Sequence, residues 1–592
     1  MKYSDFICKQ LQKMGYTHCF TLTGGNIMHL IESASNYFEI IPVVNEVAAG
    51  IGVEYFNESS SKGKAFALVT AGPGLTNIIT AISGAFLESR ELLVIGGQVK
   101  VSDLSNGELR QKGIQEIDGV SLTKSITNFS TLLTQPISSS TLSSYINKGK
   151  SNRNGPVFLE IPLDVQAKNI DENSFDNGLI NLKKEDIIKN DDLQITNNLI
   201  FKSKRPIILI GGGVRRDIFN KIYPKLDSLN IPIMTTWNGL DRIGSEHDLY
   251  FGRPNIWGQR YSNIILQQSD LLIAVGTRLG IQQTGFNWQE FLPNGKIIHI
   301  DFDQRELDKK TSNADVKINS DANDFIEKIF NLSITSNQFE EWLEFCKMIK
   351  QSLPLNEKDS NITNKNFISP YSFCQKLSQI SKKEDIIIPC SSGGAYTSMM
   401  QSFDQKKGQI IISNKALASM GYGLSGAIGC AIANPKKRVI LTEGDGGFAQ
   451  NLQELATVDY HKLNLKIFLF ENSGYASIRM TQKNYFNGKY VGCDNKTGLG
   501  FPNWQKLFDS YSINSLEINS EWFIENNNFI KLFEDNKPAA FIVKIDPEQT
   551  YFPKISSKVT KDGSMISNPL HIMYPDLSEE LKTKLFRYFK ND

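Results

Sequence analysis

The apolar run Val439–Leu441 leads into Gly444-Asp445-Gly446-Gly447, and a second run, Ile467–Phe470, leads into Asn472, 27 residues after Asp445. Between them, FAQNLQELATVDYHKLN is patterned as a helix. Strand, turn, helix and strand at this length predict two neighbouring parallel strands joined by a crossover. The ends of such strands lie side by side, so Asp445 and Asn472 would offer two side-chain oxygens to one point. A hard cation such as Mg²⁺ takes oxygen ligands, commonly one or two carboxylates completed by phosphate and water. The glycines allow the backbone to approach a phosphate closely. A helix starting near Phe448 would aim its N–H groups at that charge. A tight helix-capping turn also explains Gly-Asp-Gly by itself. The spacing to Asn472 and the second strand favour a metal–diphosphate clamp.

The rest of the chain alternates short apolar runs with helical patterns, which predicts an α/β fold of doubly wound parallel sheets. Further buried-strand runs are Phe66–Val69, Leu92–Ile95, Val157–Ile161, Ile207–Ile210, Leu271–Val275 and Ile297–Ile300. Polar stretches at 166–196 and 352–368 divide the 592 residues into units near 1–170, 190–335 and 365–550, with a mixed tail at 551–592. With 64 basic and 63 acidic residues the net charge is +1, so no electrostatic footprint for nucleic acid is present. No run of about 20 apolar residues predicts a membrane span. The opening MKYSDFICKQLQKMG is amphipathic and of mixed charge, unlike a signal peptide. Seven scattered cysteines without a CxxC pair fit reduced thiols and a cytoplasmic setting better than a disulfide framework.

The Asp445–Asn472 segment resembles the diphosphate-binding motif of thiamine-diphosphate (ThDP) enzymes. QNLQELATV is similar to the acetohydroxyacid (acetolactate) synthase family. The resemblance runs through nearly the whole chain to about residue 550 and implies three domains: pyrimidine-binding, central flavin-binding-like and diphosphate-binding. It implies Gly474, two residues after Asn472, as a backbone metal ligand beside Gly444, Gly446 and Gly447. ThDP chemistry needs a carboxylate that pairs with the aminopyrimidine ring and favours its imino form. IIPVVNEVAAGIGVEYF offers Glu46 at the start of a small-residue helix, and the resemblance continues over Thr70–Gln98. A helix-start glutamate facing the macrodipole is the plainer reading of Glu46 alone.

Other segments align in order. Ser391-Ser392-Gly393-Gly394 looks like the family's second diphosphate loop, with Gly394 and Ala395 at matching positions. Met420 takes the place of the methionine that supports the bent cofactor, and Gln115 that of an active-site glutamine, with Gln98 nearby. In the central unit, Gly211, Gly212, Gly213, Thr236, Gly276, Arg278, Asp301 and Phe302 would contact FAD by this resemblance. Such a flavin would be structural, because the net reaction of the synthases is not redox.

The resemblance implies a carboligase. It would decarboxylate a 2-oxo acid such as pyruvate and pass the two-carbon unit to a carbonyl acceptor, in a homodimer or homotetramer. Three departures bear on that acceptor. Leu163 stands where the synthases carry a lysine, Gln282 where they carry a second arginine, and Thr481 where ungapped alignment sets their tryptophan. A nucleotide-linked keto-sugar acceptor is therefore an alternative to a 2-oxo acid. Arg479, Gln482 and Lys483 read either as a solvated helix face or as an enlarged acceptor pocket. A ThDP hydrolase of a cyclic dione and a non-catalytic ThDP-fold subunit are the remaining alternatives.

Overall fold

The apolar runs become interior strands of three parallel sheets in a computed structural model that describes residues 1–151, 153–180, 188–331, 338–562 and 565–589. The first sheet runs in spatial order Glu39–Pro42, Tyr16–Thr21, Lys64–Val69, Leu92–Gln98, Pro156–Pro162, Phe129–Leu132. The second runs Val316–Asn319, Lys296–Asp301, Leu271–Val275, Pro206–Ile210, Ile233–Thr235. The third runs Ile410–Ile411, Ile386–Ile388, Val439–Gly444, Leu465–Glu471, Ala539–Lys544, Asn514–Ile518. Every pairing within the three is parallel. Helices cover both faces, which is why the central strands are apolar throughout. All eight expected runs lie inside these strands.

The first and third units share one hydrophobic core, in which Ile51, Val53 and Tyr55 pack with Leu424, Ala427 and Ile428. The contact is a crossing of the helices Glu46–Ser59 and Tyr422–Ala433. Glycine makes it possible: a Cβ on Gly429 would lie 2.1 Å from the Gly52 carbonyl oxygen, and one on Gly426 would lie 2.6 Å from the Tyr55 ring. Backbone cannot yield as a side chain can. Gly429→Ala should therefore force the helices apart and lower stability by about 1–3 kcal/mol. A urea unfolding midpoint equal to wild type would show that the crossing tolerates the methyl. Buried Arg90 braces the same seam, donating to Glu54 Oε1 at 2.6 Å and to the Ser413 carbonyl at 2.7 Å.

The middle sheet has its own core, and the tail belongs to it. Leu570 and Leu585 join that core, and Gln268 Nε2 donates to the Leu585 carbonyl at 2.9 Å. The tail pair Lys554–Ile555 and Met573–Tyr574 is antiparallel. Among the described residues no helix is long and apolar enough to cross a membrane, and all seven cysteines are free and buried.

Candidate metal–diphosphate site

Sheet register places the clamp. Val439–Gly444 pairs with Leu465–Glu471 so that Gly444 lies opposite Phe470, and both chains leave the sheet side by side. Asp445 opens the short helix Asp445–Phe448. Its Oδ2 accepts the N–H groups of Asn472 at 3.0 Å and Gly474 at 3.2 Å, and its Oδ1 accepts Gly446 N–H at 2.7 Å. The carboxylate is buried and makes no ion pair among the described residues. Burial pushes its pKa up to about 7 against those three N–H donors. A buried carboxylate with no counter-charge is a position a cation would stabilise. Among the described residues no three His, Cys, Asp or Glu side chains cluster as a metal shell. A cation here would therefore take Asp445, the Asn472 amide oxygen and the Gly474 carbonyl, with phosphate and water completing a hard-ion sphere.

Two further loops are tied to this turn. Ser391 Oγ donates to the Ser419 carbonyl at 2.5 Å, joining the Ser391–Gly394 loop to the loop that carries Met420. Asn451 Nδ2 donates to the Gly421 carbonyl at 2.7 Å, joining the Met420 loop to the end of the Gly-Asp-Gly-Gly turn. Gly393 (φ +80°) and Gly444 have open space where a Cβ would stand, whereas Gly394 packs on Tyr551 and Gly446 on Tyr475. Ala395 is buried within the helix Gly393–Ser402, and Gly447 faces Glu443. Three non-glycine residues, Cys390, Ala418 and Ser473, hold φ of +52° to +59° in these loops. Such strained backbone gathers at ligand sites.

Two side chains sequence reasoning did not place complete the surround. Arg479, on the helix Ala476–Tyr485, is 5% exposed and so is not part of a solvated face. Its Nη2 donates to the Asn472 carbonyl at 2.8 Å and its Nη1 to the Ser473 carbonyl at 3.4 Å, while Nε has no partner. It fastens the loop that carries two of the three candidate metal ligands. Removing a group that orients ligands typically costs tenfold to a hundredfold in metal affinity. Arg479→Met should weaken Mg²⁺ binding by about that factor, as read by calorimetric titration. Unchanged affinity would make the guanidinium a packing element only. Gln482 instead brackets Val491 through its N–H and carbonyl, and Lys483 pairs with Glu548 at the surface. Tyr551, in the tail, rests on Gly394, and its hydroxyl makes no hydrogen bond to a described residue. Only its neighbours in space mark it; the tail has no pattern that would.

Glu46 begins its helix behind the Asn45 cap, whose side chain accepts Val47 N–H at 3.0 Å. It is 4% exposed. Its Oε2 accepts Asn77 Nδ2 at 2.9 Å, and its Oε1 has no hydrogen-bond partner among the described residues. Gln115 lies on the same face, exposed and at φ +63°. Its carbonyl is 2.6 Å from where a Cβ on Gly72 would stand, just before the helix Pro73–Glu88 that carries Asn77. Glu116 pins this loop by accepting N–H groups of Ser105, Lys112 and Gly113 at 2.5–3.0 Å. Gln98 is internal, bridging the Ile117 carbonyl and Glu160. No hydrogen bond among the described residues joins Glu46 or Gln115 to Asp445 or Asn472 within the chain. The Val44 and Asn45 N–H groups, just before Glu46, donate to Glu454 Oε1 at 3.0 Å, so the start of this helix is tied to the third unit.

In the middle unit, Gly211 and Gly213 N–H groups donate to Val275 and Gly276 at 2.9 Å, and a Cβ on Gly211 would strike the Gly276 carbonyl at 2.1 Å. Gly276 holds φ +61°. Gly212 is exposed and its N–H is free among the described residues. Thr236 caps the turn Trp237–Arg242. Arg278 is half-buried and its guanidinium makes no ion pair or hydrogen bond to a described residue. Asp301 Oδ1 accepts Arg153 Nη2 at 2.8 Å, leaving Oδ2 open, and the Arg153 guanidinium sits 5.3 Å over the Phe302 ring.

Known families match each unit. The pattern of the thiamine pyrophosphate enzyme N-terminal TPP-binding domain covers residues 1–122, that of the central domain 193–329, and that of the C-terminal TPP-binding domain 392–543. A probable acetolactate synthase large subunit of Methanococcus aeolicus is 30% identical over 572 residues, 92% of each chain. The chain belongs to the ThDP-dependent, acetolactate-synthase-like enzyme family. The acetolactate synthase large subunit of Lactococcus lactis is 26% identical over 94% of this chain and 95% of its own. The isozyme 1 large subunit of Escherichia coli K12 is 26% identical over 93% and 95%. Membership in this enzyme family sets aside the non-catalytic reading.

Proposed function

We propose that this ThDP enzyme is a carboligase that decarboxylates pyruvate and joins the two-carbon unit to a second 2-oxo acid. The observation that carries the reading is the buried Asp445 carboxylate without a counter-charge, held against the Asn472 and Gly474 N–H groups in a turn tied to two other loops. ThDP, when bound, would supply a carbon nucleophile and an electron sink for decarboxylation. Asp445, Asn472 and Gly474 hold Mg²⁺, and the open positions at Gly393 and Gly444 admit the diphosphate. Met420, half-buried in the loop tied to Ser391 and Asn451, would pack against the cofactor. Glu46 holds and moves a proton at its free Oε1, while Asn77 fixes Oε2. Gln115 reaches the substrate from a loop pinned by Glu116.

The enzyme works as a homodimer or a dimer of dimers, with Glu46 of one subunit facing Asp445 of the other. One feature supports this: the apolar side chains beside Glu46 and Gln115. Val44 is 48% and Ile114 86% exposed, the kind of surface a partner covers. FAD binds the middle unit as a structural element. The free Gly212 N–H, the unpaired Arg278 guanidinium and the open Asp301 Oδ2 fit its diphosphate and a ribose hydroxyl. Purified protein should then carry the visible absorbance of a flavin. Reduced, buried cysteines support a cytoplasmic setting.

Incubation with ¹³C-pyruvate alone, followed by mass spectrometry, tests the acceptor. Labelled acetolactate is expected. A second reading is favoured by Gln282, exposed where the synthases carry a cation, and by Leu163, half-buried where they carry another. If CO₂ release requires an added nucleotide-linked keto-sugar, that acceptor replaces the 2-oxo acid. If no 2-oxo acid yields CO₂, the carboligase reading fails and hydrolysis of a cyclic dione takes its place.

A further inference from the structure

A 2-oxo acid acceptor carries a carboxylate, yet Leu163 and Gln282 stand where the synthases carry cations. The tail reaches the same region. Ile256 N–H donates to the Gln282 carbonyl at 3.0 Å, and Ile555 N–H donates to the Ile256 carbonyl at 3.0 Å. Backbone hydrogen bonds thus join the Gln282 segment, the turn at Ile256 and the strand Lys554–Ile555 side by side. The tail is also fixed to the cofactor loops. Tyr551 packs on Gly394, and the Pro553 carbonyl accepts Gln401 Nε2 at 2.8 Å from the far end of the helix Gly393–Ser402.

From this strand Lys554 reaches the helix Ala476–Tyr485. Its Nζ lies 3.4 Å from Met480 Sδ, one residue after the Arg479 that holds the Asn472 carbonyl. The Trp257 and Phe552 rings each have their centroids 5.6 Å from Nζ. An ammonium has three donors, and a thioether sulfur is a weak acceptor. No carboxylate or carbonyl of a described residue accepts from Nζ. No neighbouring charge compensates it either, and burial pulls its pKa below the ordinary lysine range. The residue is half-buried, so it is not sealed from solvent.

We propose that Lys554 determines acceptor choice: its ammonium receives the acceptor's carboxylate in place of the cations missing at Leu163 and Gln282. The inference rests on the carboligase reading with a 2-oxo acid acceptor. A charge-assisted hydrogen bond gives the carboxylate its affinity and fixes its direction. The Trp257 and Phe552 rings supply an apolar surround for the acceptor's alkyl end. A site built to bond a charged group rejects the analogue that lacks it.

2-Oxobutyrate and propanal make a matched pair, because the aldehyde has hydrogen where the oxo acid has a carboxylate. Both are supplied together to the full chain with ThDP, Mg²⁺ and excess pyruvate. Propanal carries ¹³C, so its product differs in mass even after CO₂ is lost from the 2-oxobutyrate product. The ratio of the two products, read by mass spectrometry, cancels any general loss of activity. Wild type should favour 2-oxobutyrate. Lys554→Met should lower the ratio about tenfold or more, and Lys554→Arg should keep most of it. If wild type makes no propanal product, the 2-oxobutyrate concentration at half-saturation should rise by the same factor in Lys554→Met. An unchanged ratio or half-saturation in Lys554→Met would overturn the proposal. So would a wild type that releases CO₂ from pyruvate without using 2-oxobutyrate, which leaves decarboxylation standing. If wild type releases no CO₂ from pyruvate, the carboligase reading fails and this inference with it. Where Lys554→Met does not fold, Met480→Glu carries the same test, because its carboxylate would occupy the ammonium and should lower the ratio likewise.

Discussion

Glu46→Gln should bind ThDP and Mg²⁺ about as well as wild type and lose about 10²–10⁴-fold in turnover. The amide has nearly the carboxylate's shape and can still meet Asn77, which holds Oε2 at 2.9 Å. What it lacks is a site that takes and returns a proton at Oε1. Glu46 has no hydrogen bond to Asp445, Asn472 or the Gly393–Gly394 loop within the chain, so the diphosphate end should not register the change. Binding by calorimetric titration and turnover by ¹³C-acetolactate formation separate the two effects. Turnover within a few-fold of wild type would remove Glu46 from the proton chemistry. Equal loss of binding and turnover would assign it a structural part instead.

Asp445→Asn should do the reverse. Mg²⁺ affinity depends on ligand charge. Replacing the one carboxylate among the candidate ligands should therefore weaken cofactor binding by about a hundredfold or more. The metal-free protein should lose about 1–3 kcal/mol as well, because the amide NH₂ must face either the Gly446 N–H or the Asn472 and Gly474 N–H groups. An asparagine oxygen still accepts an N–H from the Asn472–Gly474 loop. The contrast is measurable by melting. At ThDP–Mg²⁺ concentrations near 100 times the wild-type Kd, bound ligand stabilises wild type by about 2.7 kcal/mol. A hundredfold weaker variant gains only about 0.4 kcal/mol under the same conditions. A full ligand-induced rise in Tm for Asp445→Asn would move the metal site elsewhere.

How far the sequence reveals the fold depends on where each strand lies. Interior strands such as Leu271–Val275 and Val157–Ile161 are buried on both faces, so they read as unbroken apolar runs. Edge strands do not. Phe129–Leu132, Val316–Asn319 and Asn514–Ile518 lie at sheet margins, where apart from Ile318 and Ile518 the side chains are half-buried or exposed, so no unbroken apolar run marks them. The site divides in the same way. Asp445 and Asn472 follow interior strands, so spacing alone brings them together. Arg479 sits on a helix whose other face is solvated, and only the bridge of Gly474 to Asp494 folds the chain back to bury it. Tyr551 reaches Gly394 from a tail with no periodicity at all.

The glycine crossing between the helices Glu46–Ser59 and Tyr422–Ala433 also bears on how the chain is made. Gly52 and Gly429 are 377 residues apart in sequence. At about 5–20 residues per second, synthesis leaves roughly 20–75 s between the emergence of the first helix and that of its cover. During that interval a flat strip of alanine, glycine, Ile51 and Val53 has no counterpart from its own chain. A ribosome-bound chaperone, or the same strip on a neighbouring nascent chain, is the natural occupant.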